Sequence, residues 1–64
     1  MIFQVGLLNG IQDNDPTFDT EEEALKEVAK WCNEYSFESP IVGVWDKENG
    51  ELLVIVYEGW EYRP

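Results

Sequence analysis

The sequence contains no histidine, a single cysteine and only four lysine or arginine residues among 64. Without a second cysteine the chain cannot form an internal disulfide, which excludes the disulfide-stapled secreted scaffolds. Without histidine, a zinc site would have to consist almost wholly of carboxylates, which is unusual. The shortage of cations argues against nucleic acid as a ligand, because binding to phosphate needs clustered lysine and arginine. It argues equally against docking on anionic membranes.

Long apolar runs are missing as well. The first eight residues are largely apolar, but they carry no lysine or arginine and the run stops by Asn9. Such a run is too short for a transmembrane helix and lacks the basic flank of a signal peptide. We therefore expect a cytoplasmic protein, and a chain of this length predicts a single domain over residues 1–64.

What the chain does have is acidic charge and aromatic side chains. Fourteen aspartate and glutamate residues give a formal net charge of -10, which leaves cations and basic protein surfaces as natural partners. Hydrophobic residues make up 44% of the chain and aromatic residues 14%. This composition is too apolar for a disordered protein, and large aromatic side chains allow a short chain to build a sufficient core.

A helix is predicted from residue 20 to about residue 35. Thr20 and Glu23 have the spacing of a capping box, and the acidic residues 21–23 lie at the positive end of the helix dipole. The apolar stripe at helical spacing consists of Leu25, Val28, Ala29 and Cys32, widened by Ala24, Trp31 and Tyr35.

Strands are predicted over residues 2–8, 41–45 and 51–57. The last two form a hairpin whose turn, residues 46–50, is closed by Gly50 in the left-handed conformation with a bulge. Residues 12–19 read as a loop, with Ile11 and Phe18 as anchors onto the core. Trp60 and Tyr62 are two apart, which allows the last strand to resume after a bend at Gly59.

These elements predict an α+β fold of order β-α-β-β, with one amphipathic helix packed on a three-stranded mixed sheet that ends in a hairpin. A right-handed crossover sets the first two strands parallel. Two sheet orders are open, with either the third or the second strand in the middle. The apolar continuity of residues 52–57 favours the third. The uncharged first strand is then an unprotected edge, open to a homodimer or to strand addition by a partner.

The loop before the helix resembles a calcium-binding loop only in part. Acidic or hydroxyl side chains alternate along residues 13–21, as calcium ligands do. However, Phe18 stands where a glycine turn is needed, and Ala24 stands where a bidentate glutamate belongs. We therefore assign these residues to turn and cap chemistry and expect no metal and no other cofactor.

Catalysis is not expected. Cys32 lies on the apolar stripe, late in the helix, and no histidine is present to activate it, so an inert buried thiol is the better interpretation. With fourteen carboxylates, some pair will be close by chance, and a domain this small has little room for a catalytic cleft. The sequence therefore predicts a non-catalytic protein.

The candidate partner-binding residues are four aromatic side chains in the C-terminal part: Trp45, Tyr57, Trp60 and Tyr62. Tryptophan and tyrosine are enriched at binding hot spots, and the competing interpretation is that they merely cover a sheet face. Stacking on nucleic-acid bases is disfavoured, because sheets with that role have basic surroundings.

Three functions follow for comparison. The first is a small acidic cytoplasmic interaction or accessory protein that contacts a protein partner, for which a basic surface is a natural candidate, through aromatic residues or a strand edge. The second is an acidic mimic of nucleic acid, of the kind that many bacteriophages encode, whose carboxylates would have to be spaced like phosphates. The third is a binder of a small molecule or metal, which a ligand-dependent rise in melting temperature would reveal.

Overall fold

A computed structural model describes residues 1–10, 12–35 and 40–64, and it contains one helix and one sheet. The elements are β1 (Phe3–Leu7), β2 (Thr17–Phe18), α1 (Glu21–Glu34), β3 (Val42–Asp46), β4 (Glu51–Tyr57) and β5 (Trp60–Tyr62). The five strands are antiparallel to their neighbours in the order β2-β1-β3-β4-β5. The protein is therefore a small α+β fold, as predicted. Ile11, predicted to anchor the loop on the core, lies outside the described residues.

The predicted three-stranded mixed sheet and the β-α-β-β order are wrong. Strand β2 was missed, because its two residues are too few for an alternating pattern to be visible. The sequence allows the last strand to resume at residues 60–62 after a bend at Gly59, and these residues do form a strand, but the chain reverses there and β5 pairs antiparallel with β4. Strand β2 returns antiparallel to β1 before the helix begins, which reverses the direction of the chain. The crossover helix therefore connects β2 to β3, which are parallel to each other, and β1 lies antiparallel between them.

The favoured strand order, with the predicted third strand (residues 51–57, here β4) in the middle, is also wrong. The middle strand is β3, which is the predicted second strand, so the alternative left open by the sequence is the one observed. Strand β4 is an interior strand rather than the middle one, because β5 pairs with its outer side. Strand β1 pairs on both sides, with β2 and β3, so the prediction that it is an exposed edge fails.

The helix starts as the sequence predicts and ends one residue earlier. The Thr20 hydroxyl accepts a hydrogen bond from the Glu23 amide at 3.2 Å and donates one to the Glu23 carboxylate at 3.0 Å. The carboxylate thus bonds to the cap hydroxyl rather than to the cap amide. Tyr35 is the C-cap, and its amide donates to the carbonyl of Trp31. No helix in the described part of the chain is both long and apolar enough to cross a membrane.

The core lies between α1 and one face of the sheet. Its buried residues are Val5, Val42, Val44, Val54 and Val56 from the sheet, with Ala24 and Val28 from the helix. Phe18 packs against this cluster, so its predicted role as an anchor is confirmed. The predicted stripe was too wide, because Ala29 and Tyr35 are exposed and Leu25 and Cys32 are only half-buried.

The β3–β4 turn is held by one buried carboxylate. Asp46 is 2% exposed, and its carboxylate accepts hydrogen bonds from the amide of Glu48 and from the Asn49 side chain at 2.7 Å. The Asn49 side chain contributes most to lowering the pKa of Asp46, although burial opposes the shift, so this carboxylate is ionised at neutral pH. Gly50 has a φ of 70°, the left-handed conformation that the sequence predicts. The register irregularity lies farther along β4, where Val44 faces Val54 and Trp45 faces Leu52.

Candidate functional site

All four sequence-predicted aromatic residues lie on the face of the sheet opposite α1, which we call the open face. Ile55 pairs with both Gly43 and Tyr62, and Tyr57 pairs with Trp60. Because side chains alternate along a strand, Trp45, two residues after Gly43, shares this face. The structure thus brings the four aromatic side chains of β3, β4 and β5 together on one surface.

Trp45 lies flat on the sheet rather than projecting into water. A methyl group built on Gly43 would be 2.5 Å from Cη2 and 2.7 Å from Cζ3 of Trp45, so the indole ring covers the space above this glycine. Such close contact is possible only because Gly43 has no side chain. Trp45 is consequently half-buried and belongs mainly to the packing of the sheet.

Strand β5 carries the exposed part of the aromatic group. Trp60 is 70% exposed and Tyr62 is 53% exposed, whereas Trp45 and Tyr57 are half-buried. The four predicted residues therefore divide into two half-buried residues, one on β3 and one on β4, and two accessible residues on β5. The accessible pair, Trp60 and Tyr62, is the surface available to a partner, and we call it the β5 aromatic pair.

At the opposite end of the open face, a loop covers the sheet. The buried side chain of Gln4 points from β1 toward residues 12–15, and its Nε2 donates to the carbonyl of Gln12 at 3.0 Å. Longer contacts from the same nitrogen reach the carbonyls of Asp15 at 3.3 Å and Asp13 at 3.4 Å. The open face is thus closed over β1 by this loop and accessible over β5.

The helix leaves β5 uncovered for a geometric reason. A helix is about 10 Å across and neighbouring strands lie about 4.8 Å apart, so one helix covers two or three of five strands. Here α1 lies mainly over β1, β2 and β3. On the helix side of β4 and β5, a shallow groove of about 340 Å³ remains, with an apolar lining that includes Leu25, Ala29 and Val56.

Cys32 lines this groove as a half-buried free thiol. It is less buried than the sequence predicts, because the helix turns this flank away from the strands that it covers. Glu61 and Asn33 are the polar residues of the lining.

One carboxylate of the loop before the helix and one of the first helical turn make local hydrogen bonds. Asp15 accepts a hydrogen bond from the amide of Gln12 at 2.8 Å, and Glu23 bonds to the cap hydroxyl of Thr20. Over residues 1–10, 12–35 and 40–64, no three acidic or thiol side chains converge in a way that could hold a metal ion.

The charges beside the β5 aromatic pair are mainly acidic. Glu58 and Gly59 form the turn that precedes β5, and Glu61 lies between the two aromatic residues on the opposite face. Arg63 is drawn toward the helix, because its guanidinium contacts the carboxylate of Glu21 at 2.5 Å and that of Glu61 only at 3.9 Å. The immediate surroundings of Trp60 and Tyr62 therefore suit a cationic partner.

Comparison with known proteins adds nothing to this geometry: no protein-family model matches the chain, and no curated protein or solved structure is significantly similar to it. The candidate surface therefore rests on the physical properties of its residues alone.

The sequence did not indicate which aromatic residues would be exposed. Ile55 and Leu52 share the open face with them and were assigned only to an apolar strand. Alternation along residues 51–57 could have placed Ile55 on the same face as Tyr57. It could not have placed Leu52 there, because the extra residue Leu53 interrupts the alternation between Leu52 and Val54. The positive φ values of Glu58 and Gly59, which produce the tight turn, follow from the Glu-Gly dipeptide only weakly.

Proposed function

We propose that the protein is a non-catalytic interaction protein that binds a basic protein partner through the β5 aromatic pair. The observation that carries the proposal is the 70% exposure of Trp60 beside the 53% exposure of Tyr62 on the open face of the edge strand β5. Exposed tryptophan and tyrosine side chains are the residue types most enriched at binding hot spots.

The size of these side chains supports a contact role over a packing role. Large aromatic residues each bury roughly 150–250 Å² when they pack, and a chain this short has few other sources of core stability. The core nevertheless consists mainly of valines, and Trp60, which has the largest type of side chain, is exposed to water. The apolar surface of Trp60 can therefore be buried by a partner rather than by the fold.

The preference for a basic partner follows from charge. The chain has a formal net charge of -10, which attracts cationic surfaces over the Debye length of about 8–10 Å. Lysine and arginine side chains also interact favourably with the faces of tryptophan and tyrosine rings. The aromatic pair and the acidic background therefore select the same kind of partner.

The alternative of an acidic nucleic-acid mimic has less support. A mimic needs carboxylates that are free and regularly spaced. Here Asp15, Glu23 and Asp46 bond to backbone or side-chain groups of turns and caps, and Glu27 accepts from the indole of Trp31 at 2.8 Å. We also propose a cytoplasmic location. The chain has a single cysteine and cannot form an internal disulfide, so its fold does not depend on an oxidising compartment.

The test compares partner capture by two variants. Trp60→Ala/Tyr62→Ala removes the aromatic pair without changing the charge. Asp13→Asn/Asp19→Asn removes two charges near the opposite edge of the sheet, where β2 lies. We expect the first variant to lose a basic partner that the second retains. Loss in the charge variant with retention in the aromatic variant would instead favour the mimic.

A further inference from the structure

We propose that the outer edge of β5 binds its partner by strand addition, and that the added segment carries an arginine or lysine flanked by β-branched residues. This inference rests on the proposed function and specifies how the contact is made. The edge prediction made for β1 from sequence fails, but the sheet has an edge at β5, which pairs with β4 alone among the described strands.

The register decides which backbone groups of β5 point outward. Tyr57 and Trp60 close a two-residue turn, so they form a hydrogen-bonded pair, and Ile55 and Tyr62 form the next such pair. Glu61 faces Val56 in the intervening pair, which makes no hydrogen bonds across the two strands. The N–H and C=O of Glu61 therefore point away from β4, toward a strand that could be added.

The other edge of the sheet is a poorer template. Strand β2 has two residues and follows directly after Pro16, which has no N–H to donate. Neither Trp60 nor Tyr62 is near β2, because three strands separate β2 from β5. The free backbone groups and the accessible aromatic side chains thus coincide only at β5.

Cross-strand pairing rules give the chemistry of the added segment. The residue opposite Glu61 shares its face, and an opposite charge is favourable there. The residues on either side of it lie beside Trp60 and Tyr62, where β-branched side chains pack well against aromatic rings. A second copy of this chain fits poorly, because each copy carries a net charge of -10.

The probe is the pentapeptide acetyl-Thr-Val-Arg-Val-Thr-amide, titrated into the intact protein. The arginine N–H donates to the C=O of Glu61 in this arrangement, whereas the N–H of each valine points to solvent. N-methylation of the arginine should therefore weaken binding about tenfold, and N-methylation of the first valine should change it less than about twofold. The two peptides have the same composition and differ only in the position of one methyl group.

Amide hydrogen exchange gives an independent measurement. The Glu61 amide should exchange fast in the free protein and at least about tenfold more slowly with saturating peptide. Equal binding by both methylated peptides, or an unprotected Glu61 amide in the complex, would overturn strand addition while leaving a basic partner on the aromatic pair intact. No saturable binding by the pentapeptide at millimolar concentration also overturns it.

Two further outcomes separate the inference from the function it rests on. Concentration-dependent protection of Glu61 without peptide would assign the edge to a second copy and overturn the proposed occupant. If the peptide with glutamate in place of arginine binds equally well and Trp60→Ala changes neither affinity, the proposed function fails together with the inference.

Discussion

The two faces of the sheet differ in the size of their side chains and in what covers them. The face under α1 has Val5, Val42, Val44, Val54 and Val56, all at most 6% exposed. The open face has Trp45, Tyr57, Trp60 and Tyr62, of which the last two are more than half exposed. The smaller side chains are thus the buried ones, which is the reverse of what stability alone would favour.

This difference indicates a division of roles. One helix can bury only the strands beneath it, and small valines let it approach the sheet closely. On the open face Trp45 lies flat over Gly43, whereas Trp60 and Tyr62 on β5 are more than half exposed. We therefore assign stability to the helix-covered face and partner contact to the β5 end of the open face.

The largest expected effect is on the helix-covered face. Val44→Ala should lower the free energy of unfolding by about 2.5 kcal/mol, because it removes buried methyl groups and leaves a cavity at a fully buried site. Urea denaturation monitored by circular dichroism measures this. A loss below about 0.5 kcal/mol would mean that this face does not carry the stability assigned to it.

A second variant tests the packed part of the open face. Gly43→Ala should cost about 1.5 kcal/mol, since the new methyl group must displace the Trp45 ring. Tryptophan fluorescence should shift as the ring moves. In a Trp45→Leu background the same substitution should cost far less; an unchanged cost there would show that the ring is not the obstacle.

Sequence reasoning reached the helix and the β3–β4 turn, because both have local chemical signals. Thr20 and Glu23 mark the helix start, and Gly50 marks a turn that needs a positive φ. Strand β2 gave no such signal, since it forms only because β1 is already there to pair with. The direction of β3 relative to β1 depends on that pairing and could not be read locally.

A third variant concerns the turn that presents the aromatic pair. Glu58 has a φ of 49°, which is unfavourable for a residue other than glycine, asparagine or aspartate. Glu58→Asn creates the Asn-Gly turn preferred in two-residue hairpins and should raise the free energy of unfolding by about 1 kcal/mol. Chemical denaturation measures the gain. A destabilised Glu58→Asn protein would mean that the Glu58 side chain makes a contact worth more than the strain.

The smallest effect on stability is expected at the exposed aromatic residue. Trp60→Ala should change the free energy of unfolding by less than about 0.5 kcal/mol, because the side chain is 70% exposed. Val44→Ala in the same denaturation series is the matched control for a buried side chain. A loss comparable to that of Val44→Ala would return Trp60 to the core and remove the contrast between the faces.

The most direct test of the central claim measures stability and binding together in Trp60→Ala/Tyr62→Ala. The account predicts a free energy of unfolding within about 1 kcal/mol of the unaltered protein and at least about a tenfold loss of affinity for the Thr-Val-Arg-Val-Thr peptide. An affinity that stays the same while the protein loses 2 kcal/mol or more of stability would contradict it, because the aromatic pair would then serve the fold and not a partner.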